Sequence, residues 1–163
     1  MIIRAARMED LDAIAAVEAA CFPAAEAATK DQFRERLLHY ADHFLLLFEG
    51  DLLISFVDGF VTDHKDLTDE MYENAALHDE HGGWQMIFGV NTLPEYRRRG
   101  HAGLLIRHMI DTARLQGRRG LVLTCKEALL PFYRSFGFVS EGVTPQSTHG
   151  GAVWYQMRLT FPG

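Results

Sequence analysis

A mixed α/β fold, with helices on both faces of a central sheet, is predicted by three features of the sequence. Strand-like alternation and helix-like periodicity intermingle along the chain without strict strand-helix-strand repetition. Residues 121–125, Leu-Val-Leu-Thr-Cys, form a short apolar run that suits a central strand covered on both faces. The 163 residues, 48% hydrophobic and 23% charged, are enough to bury roughly 70% of the unfolded surface without a metal or a disulfide framework. No internal repeat, low-complexity tract or Pro/Gly/Ser-rich linker interrupts them, so one domain over residues 1–163 is expected.

Each element has its own local signal. Residues 2–5 read as a short strand. Over residues 9–21, Leu11, Ile14, Val17 and Cys21 recur at helical spacing, and Pro23 ends the helix. Thr29, with Gln32 three residues on, caps a second helix that carries Phe33, Leu37 and Tyr40 on one face. Residues 44–48 and 52–61, joined by Glu49-Gly50-Asp51, predict a β-hairpin. The acidic stretch 63–80 reads as a loop with a turn or two of helix near Glu70. Residues 84–91 alternate as a fourth strand, with Trp84, Met86, Phe88 and Val90 on one face and Gln85, Ile87, Gly89 and Asn91 on the other. Residues 100–116 form a helix on the spacing of Leu104, Leu105, His108, Met109 and Thr112, with Gly117 as its C-terminal cap. The fifth strand, 121–125, is followed by a short helix over 128–136 closed by Gly137, and by last strands at 138–141 and 152–159.

Charge is unevenly placed. The net charge is −6, yet residues 97–119 hold seven arginines against Asp111 alone, a local +6 that leaves −12 for the remainder. Residues 58–80 carry −7 of that. Two such segments suit two oppositely charged ligand groups, or equally two solvated faces. Cys21 and Cys125, the only cysteines, form no metal-binding or CxxC spacing and read as reduced thiols. No apolar run reaches the eighteen or so residues that span a bilayer, and Glu9, Asp10 and Asp12 stand where a signal peptide would be apolar. A cytoplasmic protein is therefore expected, with no membrane or nucleic-acid partner. The eight histidines make no metal-ligand motif, so no metal is expected.

The stretch most informative about chemistry is Leu93-Pro94-Glu95-Tyr96-Arg97-Arg98-Arg99-Gly100-His101-Ala102-Gly103, between a strand and a helix. Unpaired backbone N–H groups at the positive end of a helix, with arginines beside them, can hold a diphosphate. Gly100 and Ala102 leave room for a ligand to approach the backbone. No Gly-Lys-Ser/Thr follows, which separates the junction from a P-loop, and no third glycine stands in the register of the dinucleotide fingerprint.

Here the sequence resembles the GCN5-related N-acetyltransferase (GNAT) superfamily, whose (Gln/Arg)-x-x-Gly-x-(Gly/Ala) signature matches Arg97-x-x-Gly100-x-Ala102. The segment from Cys125-Lys126-Glu127 through Pro131-Phe132-Tyr133 to Phe136-Gly137-Phe138 is similar to the corresponding part of the arylalkylamine (serotonin) N-acetyltransferases. Cys21-Phe22-Pro23 and Leu77-His78 resemble that group or its bacterial relatives. The resemblance implies a GNAT fold, a mixed sheet splayed between strands 4 and 5. It also implies acetyl-CoA as co-substrate and acetyl transfer to a primary amine of the arylalkylamine kind by direct attack in a ternary complex. Val90 and Asn91 are implied to hold the pantetheine arm through backbone contacts, and Arg97, Arg98, Arg99, Gly100, His101, Ala102 and Gly103 the pyrophosphate region.

Tyr133 is implied to be the catalytic acid. A departing thiolate leaves more easily when a nearby group gives it a proton, and a Tyr hydroxyl keeps its proton at neutral pH. Phe22, Pro23, Met86 and Phe88 are candidates to line the apolar part of an amine pocket, or else core residues. Met86 and Phe88 also stand where vertebrate members of the group carry two histidines. The proton acceptor is then a histidine among His78, His81 and His149, or water linked to fourth-strand carbonyls. Polyamine, lysine and protein N-terminal substrates use the same cofactor machinery, and a catalytically silent CoA-binding module is the alternative from another class. The oligomeric state has no signal in the sequence.

Overall fold

In a computed structural model, residues 1–163 are described, the side chain of His149 excepted. The chain divides into two compact units, Met1–Gly59 with Gly89–Met109, and Phe60–Phe88 with Ile110–Gly163.

In the first unit, β1 (Ile2–Ala5), β2 (Phe44–Glu49), β3 (Leu52–Asp58) and β6 (Gly89–Thr92) form an antiparallel sheet in the order β1-β2-β3-β6. Helix α1 (Leu11–Cys21) packs on β3, β6 and α2 (Lys30–Tyr40). Residues 9 and 10 fall outside α1, in a 3-10 turn over Met8–Asp10, because Asp10 accepts the Arg7 N–H and both guanidinium nitrogens of Arg4. The start of α2 is as the sequence predicts: Thr29 Oγ1 accepts from Gln32 N–H, and Gln32 Oε1 accepts from Thr29 N–H. Phe33, Phe44 and Phe56 are fully buried, and their rings meet edge-on or stacked at centroid distances of 5.9–6.4 Å. This aromatic cluster fastens α2 to the sheet.

In the second unit, β4 (Val61–Thr62), β5 (Trp84–Ile87), β7 (Gly120–Cys125), β9 (Tyr155–Thr160) and β8 (Val139–Val143) pair in that order. Only β5 and β7 run parallel, and β7 is buried almost throughout, as its apolar run requires. Helix α3 (Asp69–Glu73) supplies the helical turn expected near Glu70. Arg158 on β9 binds Glu141 on β8 and Asp66, and its guanidinium lies 4.7 Å from the Trp84 ring centre. Helix α4 spans His101–Leu115, and Gly117 follows at φ +76°.

Several further boundaries differ from expectation. The hairpin's second strand ends at Asp58 because Phe60 and Val61 bond elsewhere: Met86 N–H donates to the Phe60 carbonyl, and Val61 pairs with Gln85. The expected strand over 84–91 is two strands, β5 and β6, interrupted at Phe88. β5 pairs with β4 and β7, whereas β6 pairs with β3 alone, which is the separation of strands 4 and 5 that the family resemblance implies. The helix expected over 128–136 is a 3-10 turn, Glu127–Leu129, followed by α5 (Leu130–Arg134), with Pro131 in its first turn. The last strand begins at Tyr155 rather than at residue 152.

Candidate functional site

In the first unit, β6 is the edge strand of its sheet, so one side of its backbone has no strand partner. It pairs with β3 from Asp58 opposite Gly89 to Ser55 opposite Thr92. Val90 is half-buried and the Asn91 side chain is buried. The strand's end is fixed: the Thr92 carbonyl accepts from the Cys21 thiol at 3.3 Å and from Arg97 Nε at 3.0 Å. Burial pushes the Cys21 thiol above its ordinary pKa, so it is protonated and can donate.

A 3-10 turn over Pro94–Tyr96 then leads into two left-handed residues, Arg98 at φ +63° and Gly100 at φ +83°. Positive φ is uncommon outside glycine, and its alternation with ordinary backbone turns successive N–H groups toward one side. A Cβ on Gly100 would meet no atom within 4 Å, so the glycine is required by conformation rather than by space. α4 begins at His101, and its first turn leaves N–H groups without intrahelical partners. Arg97, Arg98, Arg99 and Gly100 are exposed, Ala102 and Gly103 are half-buried, and His101 is buried. The Arg99 guanidinium lies 5.2 Å from the Tyr96 ring centre. The junction thus presents backbone donors and three exposed guanidinium groups together, an arrangement able to hold an anion. Phe22, half-buried, and Pro23, exposed, follow α1 in the same unit.

In the second unit, Tyr133 on α5 is buried, with ring centroids of Phe132 and Phe138 at 5.1 and 6.0 Å. Burial, with Cys125 and Tyr72 nearby, pushes its hydroxyl well above the ordinary tyrosine range. The group is therefore a proton holder at neutral pH. Cys125, at the end of β7, is likewise pushed up to about 11 by burial. Phe88 is half-buried, against Phe60 at 4.9 Å and Tyr72 at 4.8 Å. Met86 is fully buried, so its side chain is core and does not line an open pocket beside Phe88.

The candidate histidines divide by what holds them. His78 Nδ1 accepts the Val61 N–H at 3.1 Å, and Nε2 meets Glu80 at 3.1 Å, which engages both ring nitrogens in structure. His81 is exposed on a turn whose N–H is bonded to Asp79. His149 lies outside the described side chains.

The sequence reading placed Tyr40 on a helix face and Asn91 on the fourth strand, but it missed the buried polar group to which they belong. Glu18 on α1, Arg36 and Tyr40 on α2, Asp58 on β3 and Asn91 on β6 are all buried in the first unit. Arg36 Nη1 donates to Asp58 Oδ2 at 2.9 Å, and Ala28 N–H donates to Glu18 Oε2 at 2.9 Å. The available signal was a carboxylate and a guanidinium within the apolar stripes of two amphipathic helices, Glu18 beside Ile14 and Val17, Arg36 beside Phe33 and Leu37.

Fold and junction together define an α/β protein with an anion-receptive strand-turn-helix. The profile of the Acetyltransferase (GNAT) family matches residues 11–138, and the chain belongs to that family. It is 30% identical over 109 residues to the serotonin N-acetyltransferase of Mesocricetus auratus. That alignment takes in 61% of this chain and 51% of the hamster enzyme, so the chain spans about half the length of this curated relative. Among solved structures, the loading GNATL domain of CurA from Lyngbya majuscula superposes with a TM-score of 0.84 at 17% identity, over 98% of this chain and 96% of that one. The GphF GNAT-like decarboxylase, solved with isobutyryl-CoA, gives 0.80 at 20% identity, over 98% and 99%. At these identities the likeness establishes the GNAT fold. No helix among the described residues is long and apolar enough to cross a membrane.

Proposed function

We propose that the protein, as one catalytic domain over residues 1–163, transfers an acetyl group from acetyl-CoA to a primary amine of the arylalkylamine kind. The observation that carries this reading is the junction after β6, where left-handed Arg98 and Gly100, the start of α4 and three exposed arginines fit a diphosphate. The serotonin N-acetyltransferase relative supports the choice of amine, and isobutyryl-CoA bound to the GphF neighbour supports the choice of thioester.

In this reading, the edge of β6 that has no strand partner, at Val90 and Asn91, holds the pantetheine arm through backbone contacts, and residues 97–103 hold the pyrophosphate. Phe22 and Pro23, which follow α1, offer apolar surface to the amine's ring. Attack of the amine nitrogen on the thioester carbonyl forms the C–N bond, and collapse breaks the C–S bond. Tyr133, whose hydroxyl keeps its proton until charge develops on sulfur, protonates the thiolate and is restored by a proton from the amine nitrogen.

The test is a CoA thiol-release screen against arylalkylamines, polyamines, aminoglycosides and short peptides. Saturable release with arylalkylamines at the highest kcat/KM is expected. Preference for another amine class would overturn the substrate assignment, and binding of acetyl-CoA without release would establish the silent module instead.

A further inference from the structure

In the first unit, two buried carboxyls feel the charge of one guanidinium. Asp58 is fully buried against Arg36, and Glu18, also buried, is held through Oε2 by the Ala28 N–H. The other oxygens, Glu18 Oε1 and Asp58 Oδ1, are buried and accept no hydrogen bond among the described residues. Both point toward Gly89, the first residue of β6. A Cβ at that position would lie 3.0 Å from Asp58 Oδ1, 3.1 Å from Asn91 Nδ2 and 3.7 Å from Glu18 Oε1. The Asn91 amide faces Glu18 and favours its anion without reaching ideal hydrogen-bonding geometry.

A buried, uncompensated negative charge costs several kcal/mol, and of these two carboxyls it is Asp58 that takes a hydrogen bond from Arg36. The carboxyl pair therefore retains a proton until a cost is met from outside. Burial pushes the Asp58 carboxyl up as well, but its direct guanidinium bond favours its anion, which leaves Glu18 as the carboxyl that exchanges the proton. Burial first and the Asp58 charge second push the Glu18 carboxyl up to about 7. A general base is most effective when its pKa lies near the working pH.

We propose that Glu18 is the group that takes a proton from the attacking amine, with the Arg36–Asp58 pair as its positioning support. The assignment rests on the acetyl-transfer reading above, which lays the thioester arm along β6, the strand whose first residue Glu18 Oε1 approaches. Proton balance is complete. Of the two protons an ammonium substrate sheds in becoming an amide, one reaches the CoA sulfur through Tyr133, and Glu18 accepts the other and returns it to solvent. Among the described residues, the titratable groups that act on Glu18 or feel its charge include Asp58 from β3, Arg36 from α2 and Cys21 from α1, and Tyr40 from α2 faces the Arg36–Asp58 pair.

The test is the pH dependence of kcat/KM on the full chain with two amines of different pKa. The rising limb is expected near pH 7 with both, and Asp58→Asn, which removes the like charge, moves it to lower pH. Glu18→Gln removes the limb and lowers kcat by ~10²-fold or more, while acetyl-CoA affinity by calorimetry is unchanged. A limb that follows the amine's own pKa, or that persists in folded Glu18→Gln protein, overturns the proposal and leaves the acetyl-transfer reading standing. Absence of turnover in the wild-type protein with every amine defeats both. Should Glu18→Gln fail to fold by circular dichroism, the two-amine comparison on the wild-type protein decides alone.

Discussion

At Tyr133, the burial that packs the ring between Phe132 and Phe138 also holds the hydroxyl in its protonated form. Tyr133→Phe removes one oxygen and keeps the packing, so the thermal midpoint should change little while kcat falls by ~10²-fold or less. Wild-type turnover in the folded variant would take Tyr133 out of the mechanism. Thr29→Ala removes half of a capping box and should cost about 0.5–2 kcal/mol in urea unfolding, with activity unchanged. Thr29 and Gln32 are legible in the sequence because a cap is made by residues three apart. Glu18 is not, because its partners Arg36, Asp58 and Asn91 come from elements far along the chain, and a single helical carboxylate gives no sign of them.

The elements most readily predicted are those whose pattern answers to one neighbour. α2 has one apolar face and a capped start, and β7 is covered on both faces and reads as a continuous apolar run. The strand expected over 84–91 failed at Phe88 because period-2 alternation reports which side chains are buried and carries no information about which strand supplies the hydrogen bonds. Gln85 and Ile87 pair with β4 or β7, and two residues later Gly89 pairs with Asp58 of β3. For the junction after β6, composition and position revealed the arginines and the helix start, but the left-handed Arg98 is visible only in the structure. Gly100→Val should abolish acetyl-CoA binding in calorimetry because a β-branched residue resists φ +83°, while the open space around Gly100 spares the fold. Binding to the wild-type protein should weaken as salt is raised, since the ligand is a polyanion facing exposed arginines. Undiminished affinity in the variant would displace the site from this junction.

Over the whole molecule, ionisable groups pull stability in two directions with pH. Asp10, Asp66 and Glu141 are held below their ordinary pKa by arginine partners or hydrogen bonds, so their contribution is lost as pH falls through the acid range. Glu18 is raised from 4.5 to about 7, so the folded state binds its proton more tightly than the unfolded chain does. Its contribution is complete below about pH 4.5 and is lost as pH rises through about 7. The urea midpoint should therefore decline between about pH 5 and about pH 8, and Glu18→Gln should flatten that decline. A midpoint that rises over this interval in the wild-type protein would contradict the buried carboxyl pair. Family membership fixes the fold and leaves the acceptor open, because the same cofactor machinery serves many amines. The most direct measurement is mass spectrometry of product, alongside released CoA thiol, after incubating the full chain with acetyl-CoA and 2-phenylethylamine. The account predicts N-acetylated amine and free CoA appearing mole for mole, at a rate that saturates with the amine. Thiol release that is independent of the amine, or no acetylated product while acetyl-CoA binds, would contradict it.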